Sequence, residues 1–384
     1  MSNLLEQFTA ELNSHFFLGE FSFDKNQFRA SSGQELELAD HLIALPEAIF
    51  VFQIKERDPS APTEDAAVED WFHHKVLKKG CGQIADSINF LRDQPRLLVK
   101  NRRGHQHDLA SLDRTIIPLL LYSSGTTLPA SISPIRHHIS RRAGFVHVLH
   151  IRDYYHLCQT LALPSELIAY FAFRLDVLLR MPTHQWEEAS LVAQFISETH
   201  APLTGAEVRE ILRESSNDVS SFDLSPILRR FGDKVTYLSG SGEGLDYYRI
   251  LGEFSRLTRA EMRGFKKLLE WALDVAGGES VQTPARMESL NSGTGFVVIP
   301  IHKGAFENRL NALTNFAGAA KYDSHLDRQI GISVARDGTE VELDWVFIES
   351  RWQHDPEMEA ALASDYPFRA KPKPRIEYRY PRSS

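Results

Sequence analysis

Residues 37–55 read ELADHLIALPEAIFVFQIK, and the way this stretch folds decides the rest of the reading. Apolar residues fill both arms, with Pro46-Glu47 between them. Proline presets the dihedral wanted at the first central position of a type I turn. Residues 36–45 and 48–55 are therefore expected to be strands joined by the four-residue loop 45–48. In any symmetric loop about that centre, paired residue numbers add to 93, so Asp40 faces Gln53. Cβ atoms directly opposed across such a pair lie roughly 4.5–5.5 Å apart. Lys55 shares the face of Gln53, while Phe50, Phe52 and Ile54 point the other way, into an apolar core. A carboxylate, a carboxamide and an ammonium are thus gathered at one place.

Working outward, residues 4–12 have helical periodicity, with Leu5, Phe8 and Leu12 on one stripe. Residues 16–23 are apolar and aromatic and read as strand, and 66–92 as helix, interrupted or kinked near Gly80 and Gly82. Segments 115–122 and 144–151 look like buried strands, and 153–161 like a helix after them. Strands alternating with helices indicate an α/β sheet covered by helices. From 164 to 284 the pattern is mainly helical. Thr204 with Glu207 and Thr258 with Glu261 form capping boxes, and 239–244 reads as a Gly/Ser linker. Beyond 295 come a strand at 296–301, a helix at 305–320, and a hairpin at 329–348 turning at Asp337-Gly338. The tail past Tyr366 reads as irregular. The expected organisation is a first domain over 1–163, a helical region over 164–284, and a small α/β domain with its tail over 285–384.

With 384 residues, 42% hydrophobic and 24% charged, the chain has the composition of a multidomain globular protein. Its apolar runs, such as 116–122 and 144–149, are strand-sized, so no membrane span is expected. The acidic N-terminal stretch lacks the positive charge of a signal peptide, which points to a cytoplasmic location. Two cysteines, Cys81 and Cys158, exclude a disulfide framework or a Cys-rich zinc site. The net charge of −8 does not advertise nucleic-acid binding. Residues 91–142, however, hold nine Arg and Lys against three Asp, a local excess of six. Such a patch, with Lys100, Arg102, Arg103, Arg141 and Arg142 as the candidate contacts, can hold phosphates. The pairs His73-His74, His105/His107 and His137-His138 lack partners at metal-ligand spacing and read as surface or phosphate-contacting residues.

The Asp40, Gln53 and Lys55 group has a chemical use. A hard divalent ion takes oxygen ligands, which Asp40, the Gln53 side chain and the backbone carbonyl of Ile54 can supply. Such an ion polarises a phosphodiester and acidifies a bound water. A neighbouring lysine orients that water or neutralises charge developing on the phosphate.

Asp-x(12)-Gln-x-Lys on a hairpin resembles the PD-(D/E)xK nuclease superfamily, in the Gln-x-Lys form similar to Mrr-type restriction endonucleases. The resemblance covers about residues 1–160. It implies a restriction-endonuclease-like mixed sheet flanked by helices, and hydrolysis of nucleic acid, DNA first, with Mg²⁺ or Mn²⁺. It implies Glu6 on the first helix as an assisting ligand, with Glu11 as competitor, and Gln83 on the helix after the Lys strand as a further polar contact. Glu37 is weighed against a plain strand-entry role. Two departures stand out: Ala39 replaces the proline before the Asp, and Gln53 replaces an acid. The superfamily's frequent roles imply protein partners in an anti-phage or restriction-type system. Two other readings remain: a nuclease fold without catalysis that binds nucleic acid or a protein, and an unrelated α/β protein.

Overall fold

The hairpin about Pro46-Glu47 forms in the register the spacing requires. His41 opposes Phe52 and Ala44 opposes Ile49, and the Leu45 N–H donates to the Ala48 carbonyl at 2.9 Å across the loop. In this computed structural model the described residues are 4–17, 19–24, 27–29, 35–94, 97–109, 114–182, 184–199, 201–234, 245–338 and 340–369. The linker reading at 239–244 lies outside them, as does the tail beyond 369.

The protein is mixed α/β and divides into two compact units, Met1–Asn217 and Asp218–Ser384. The helical stretch expected over 164–284 is shared between them. In the first unit, β1 (Ser22–Asp24), β2 (His41–Ala44), β3 (Ala48–Glu56), β4 (Thr115–Ser123), β5 (His137–Ser140) and β6 (Gly144–His150) make one sheet. Its order is β1-β2-β3-β4-β6-β5. The β3, β4 and β6 strands are parallel, and the outer pairings are antiparallel.

Each face of β3 packs on different helices. Ile49 and Val51 join Val68, Phe72, Val76, Ile84 and Ile88 of a long helix, α2, in one core. That helix runs through Asp65–Trp71, a wider π-helical stretch Phe72–Gly80, and Cys81–Asp93. It is continuous through Gly80, where an interruption was an alternative. A Cβ at Gly80 would sit 2.6 Å from Leu120 Cδ1, so the missing side chain permits close approach to the sheet. On the other face, Phe50 packs against Phe17 and Phe171 at ring distances of 5.3 and 6.0 Å, and Phe52 against Tyr154 at 5.6 Å. These partners come from the end of α1 (Leu4–Phe16 and the residue after it), from α3 (Ile151–Leu161) and from α4 (Pro164–Arg180). A buried charge cluster ties α4 to the sheet. Arg174 binds Glu188 at 2.8 and 2.9 Å, His147 Nδ1 at 3.0 Å and the Val148 carbonyl at 3.2 Å.

Three details differ from the expected layout. The buried stripe of α1 is Leu5, Thr9, Ala10 and Asn13, and Phe8 is 43% exposed. Asn13 can lie inside because it accepts the Tyr154 hydroxyl at 2.7 Å. The strand expected over 36–45 is broken. Glu35–Glu37 pairs with Gln27–Arg29 in a separate ribbon, residues 38–40 bend, and β2 starts at His41. The apolar segment 16–23 forms a short turn, Gly19–Phe21, before β1.

The second unit has a four-stranded sheet, Ala285–Ser289, Thr294–Pro300, Arg328–Asp337 and Glu340–Glu349, in that order. Helix Arg309–Asp323 makes the parallel crossover, and Gly338 turns the last hairpin at φ +59°. The Thr258–Glu261 capping box opens helix Arg259–Val275 as expected. No described helix is long and apolar enough to cross a membrane. Both cysteines are buried and unbridged.

Candidate active site

Asp40 stands in the bend just before β2, and Gln53 and Lys55 lie near the carboxyl end of β3. The bend turns the Asp40 carboxylate toward the neighbouring strand, where its Oδ2 accepts the Ile54 N–H at 2.6 Å. Lys55 Nζ reaches back over the same point. It lies 3.0 Å from the Ile54 carbonyl, 3.3 Å from Gln53 Oε1 and 3.6 Å from Asp40 Oδ2. The three oxygens expected from the sequence to serve a cation therefore converge on one positive centre, the ammonium. Gln53 is 3% exposed, and the side chains of Lys55 and Asp40 are 16% and 12% exposed, so this cradle is largely closed to water.

The electrostatics follow from that enclosure. Burial holds the Lys55 pKa below the ordinary lysine value; the Asp40 carboxylate opposes the shift, Lys79 reinforces it, and Glu6 opposes it. Glu6, half-buried in the first turn of α1, is thus within electrostatic reach of the cradle. Lys79 is exposed on the π-helical stretch.

The other candidates are placed elsewhere. Glu37 pairs through its backbone with Gln27, and its side chain lies outside the described residues. Gln83 sits on α2 with a buried side-chain oxygen, and among the described residues that oxygen has no partner and no hydrogen bond links Gln83 to the cradle. The basic run does not form one patch. Arg102 is committed to the Ala10 carbonyl at 2.8 Å and to Asp24, and Arg103 to Glu20 at 2.9 Å. Both belong to the turn of the ribbon Leu98–Lys100/Gln106–Asp108, beside β1, where Lys100 is exposed. Arg141 and Arg142 are exposed on the turn between β5 and β6, at the amino end of β6, and Arg142 pairs with Asp86. The cradle is at the carboxyl end of the parallel strands. A seven-residue strand separates the two ends by roughly 20 Å.

The chain matches no protein-family model, no curated protein and no solved structure. Among the described residues, no three His, Cys, Asp or Glu side chains gather as a metal site. The cradle instead offers one carboxylate, one amide oxygen and one carbonyl, all hard oxygen donors suited to Mg²⁺ or Mn²⁺. They already face a cationic group, which is the arrangement such an ion needs. With a single carboxylate in contact, the set fits an ion held weakly. Sequence reasoning missed Tyr122, Arg136 and His150, which lie at the same end of the sheet; only the pairing of distant strands brings them there.

Proposed function

We propose that the chain is a divalent-metal-dependent nuclease, with DNA as the favoured substrate, on a restriction-endonuclease-like sheet. The observation that carries the reading is the convergence of Asp40 Oδ2, Gln53 Oε1 and the Ile54 carbonyl on Lys55 Nζ. Those three oxygens would hold Mg²⁺ or Mn²⁺, with Glu6 assisting directly or through water. The ion, when bound, supplies polarisation of the scissile phosphate and a more acidic water. Lys55, on its flexible four-carbon stem, neutralises charge on the phosphoryl oxygens. That charge grows as a water oxygen bonds to phosphorus and the bond to the leaving sugar oxygen breaks. Ile54 N–H fixes the Asp40 carboxylate, so the ligand set is oriented before substrate arrives. A place in an anti-phage or restriction-type system rests on the family resemblance alone.

The test is cleavage of DNA and RNA with Mg²⁺ or Mn²⁺, alongside Lys55→Ala. Metal-dependent cleavage that disappears in the variant supports the reading, and cleavage that survives removes the mechanism. One observation favours a second reading, a nucleic-acid-binding protein without catalysis. The neutral Gln53 and the Lys55 ammonium leave the cradle with no surplus negative charge. Gel-shift binding without cleavage under either metal selects it.

A further inference from the structure

The parallel strands β3, β4 and β6 end side by side, and residues near their carboxyl ends form a row. Lys55 is in register with Tyr122, and Tyr122 with His150. Residues in register project from the same face at about 4.8 Å per strand, so His150 stands about 10 Å from Lys55 along the sheet end. Phe72 packs edge-on to Tyr122 at 5.2 Å, and Tyr122 edge-on to His150 at 5.3 Å, which fixes both rings. Tyr122 is 2% exposed, and its hydroxyl makes no hydrogen bond to any described residue and is not fully buried, so that oxygen is the part of the side chain that meets solvent.

His150 caps α3. Its Nδ1 accepts the Arg152 N–H at 3.2 Å, which leaves the proton of the neutral ring on Nε2 as a donor. Burial, then the charges of Arg152 and Arg136, keep its pKa below the usual histidine value, so the neutral form prevails near pH 7. Arg136 lies next to this end of β6, because its carbonyl accepts the Val148 N–H at 2.9 Å. Its Nη1 is anchored on the Ser133 carbonyl at 2.6 Å, whereas its buried Nε has no partner among the described residues. Its charge acts on both Tyr122 and His150. Asp153 and Glu188 bring negative charge to the region; Arg136 acts on Asp153, and Glu188 is bound by Arg174. Ammonium, phenol, imidazole N–H and guanidinium can all donate, and nucleic-acid phosphates offer only acceptors.

We propose that Tyr122, His150 and Arg136 hold the nucleic-acid strand beside the scissile phosphate, so that the substrate runs across the carboxyl ends of the parallel strands from Lys55 toward Arg136. This rests on the nuclease reading of the Lys55 cradle. It moves phosphate contact from Arg141 and Arg142, at the opposite end of β6, to a residue that the charge run alone does not single out.

The test uses the full chain and a labelled DNA oligonucleotide, with binding read by fluorescence anisotropy across a salt series. Ca²⁺ replaces the catalytic metal, and Mn²⁺ binding is measured separately by calorimetry. Arg136→Gln is expected to weaken DNA binding about tenfold and to reduce the salt slope by about one. His150→Gln and Tyr122→Phe are each expected to weaken it several-fold, with Mn²⁺ affinity unchanged in all three. Arg141→Gln is the comparison, and a loss there equal to that of Arg136→Gln overturns the proposed track. If wild type cleaves DNA while the three variants bind as tightly as it does, this proposal fails and the nuclease reading stands. If wild type binds neither Mn²⁺ nor DNA, both fail.

Discussion

Replacing Lys55 by Met should make the protein bind metal more tightly while abolishing cleavage. The ammonium faces the same three oxygens that a divalent ion would use, at 3.0, 3.3 and 3.6 Å. An ion entering the cradle must displace it. Two unit charges 3.6 Å apart at an effective dielectric constant near 20 attract by about 5 kcal/mol before desolvation. Burial opposes much of that, as the lowered Lys55 pKa shows. The net worth of a hydrogen bond to a charged group is about 1.5–3 kcal/mol. At 1.4 kcal/mol per decade, the lysine handicaps the metal by about tenfold to a hundredfold. Titration calorimetry with Mn²⁺ on wild type and Lys55→Met should show a gain of that size. The gain should vanish when Asp40→Ala is added, which confirms that it arises in the cradle. An affinity that is unchanged or weaker in Lys55→Met would refute the claim that the ammonium and the metal compete for one set of oxygens.

Asp40→Asn keeps an oxygen for the Ile54 N–H, so thermal unfolding should show at most about 1 kcal/mol of lost stability, while Mn²⁺ affinity falls roughly tenfold or more. His41 is fully buried, and burial, aided by Arg102, pushes its pKa from 6.5 down to about 3. Below pH 6.5 the unfolded chain takes up a proton that the folded chain refuses, so stability falls as pH drops, by about 2 kcal/mol at pH 5. Urea unfolding of wild type and His41→Gln at pH 7.5 and 5 should show that part of the drop missing in the variant. Gly80→Ala should cost about 1–3 kcal/mol in the same assay, since its Cβ would meet Leu120 at 2.6 Å within the core. DNA and Mn²⁺ should each raise the affinity for the other by one common factor, measurable by titrating either in the presence of the second.

The sequence is legible where structure is local. Pro46-Glu47 fixes the hairpin register, Thr258 and Glu261 fix a helix start, and Asp337-Gly338 marks the last hairpin. It is illegible where distant pairing decides. Nothing near residues 55, 122 and 150 signals that they share a row, because that depends on parallel pairing of strands 67 residues apart in one case and 28 in the other. The basic run misleads because the antiparallel path of β5 and β6 carries Arg136 to the carboxyl end and Arg141 to the amino end. On α1, hydropathy selects Phe8 for the core, yet Thr9 and Asn13 occupy it, the Thr9 hydroxyl donating to the Leu5 carbonyl and the Asn13 side-chain oxygen accepting the Tyr154 hydroxyl. Polar residues with buried partners cannot be found from periodicity, which counts only apolar ones.

The charge of the site explains why its two halves belong together. On the nuclease reading, a divalent ion would displace the ammonium from the cradle oxygens but leave it alongside, so that Asp40 and Glu6 together would not cancel the positive charge. Tyr122, His150 and Arg136 extend donors and a further positive charge away from that point, and Asp153 offsets only part of it. An enclosed excess of positive charge is costly unless an anion completes it. On the nuclease reading, a phosphodiester backbone would supply that anion in repeated form, one group meeting the metal and Lys55 and the next meeting the row. Gln53 in place of an acid then has a consequence of its own. On the nuclease reading, a neutral residue there would weaken metal binding in the free protein, and a bound nucleic-acid strand would raise it.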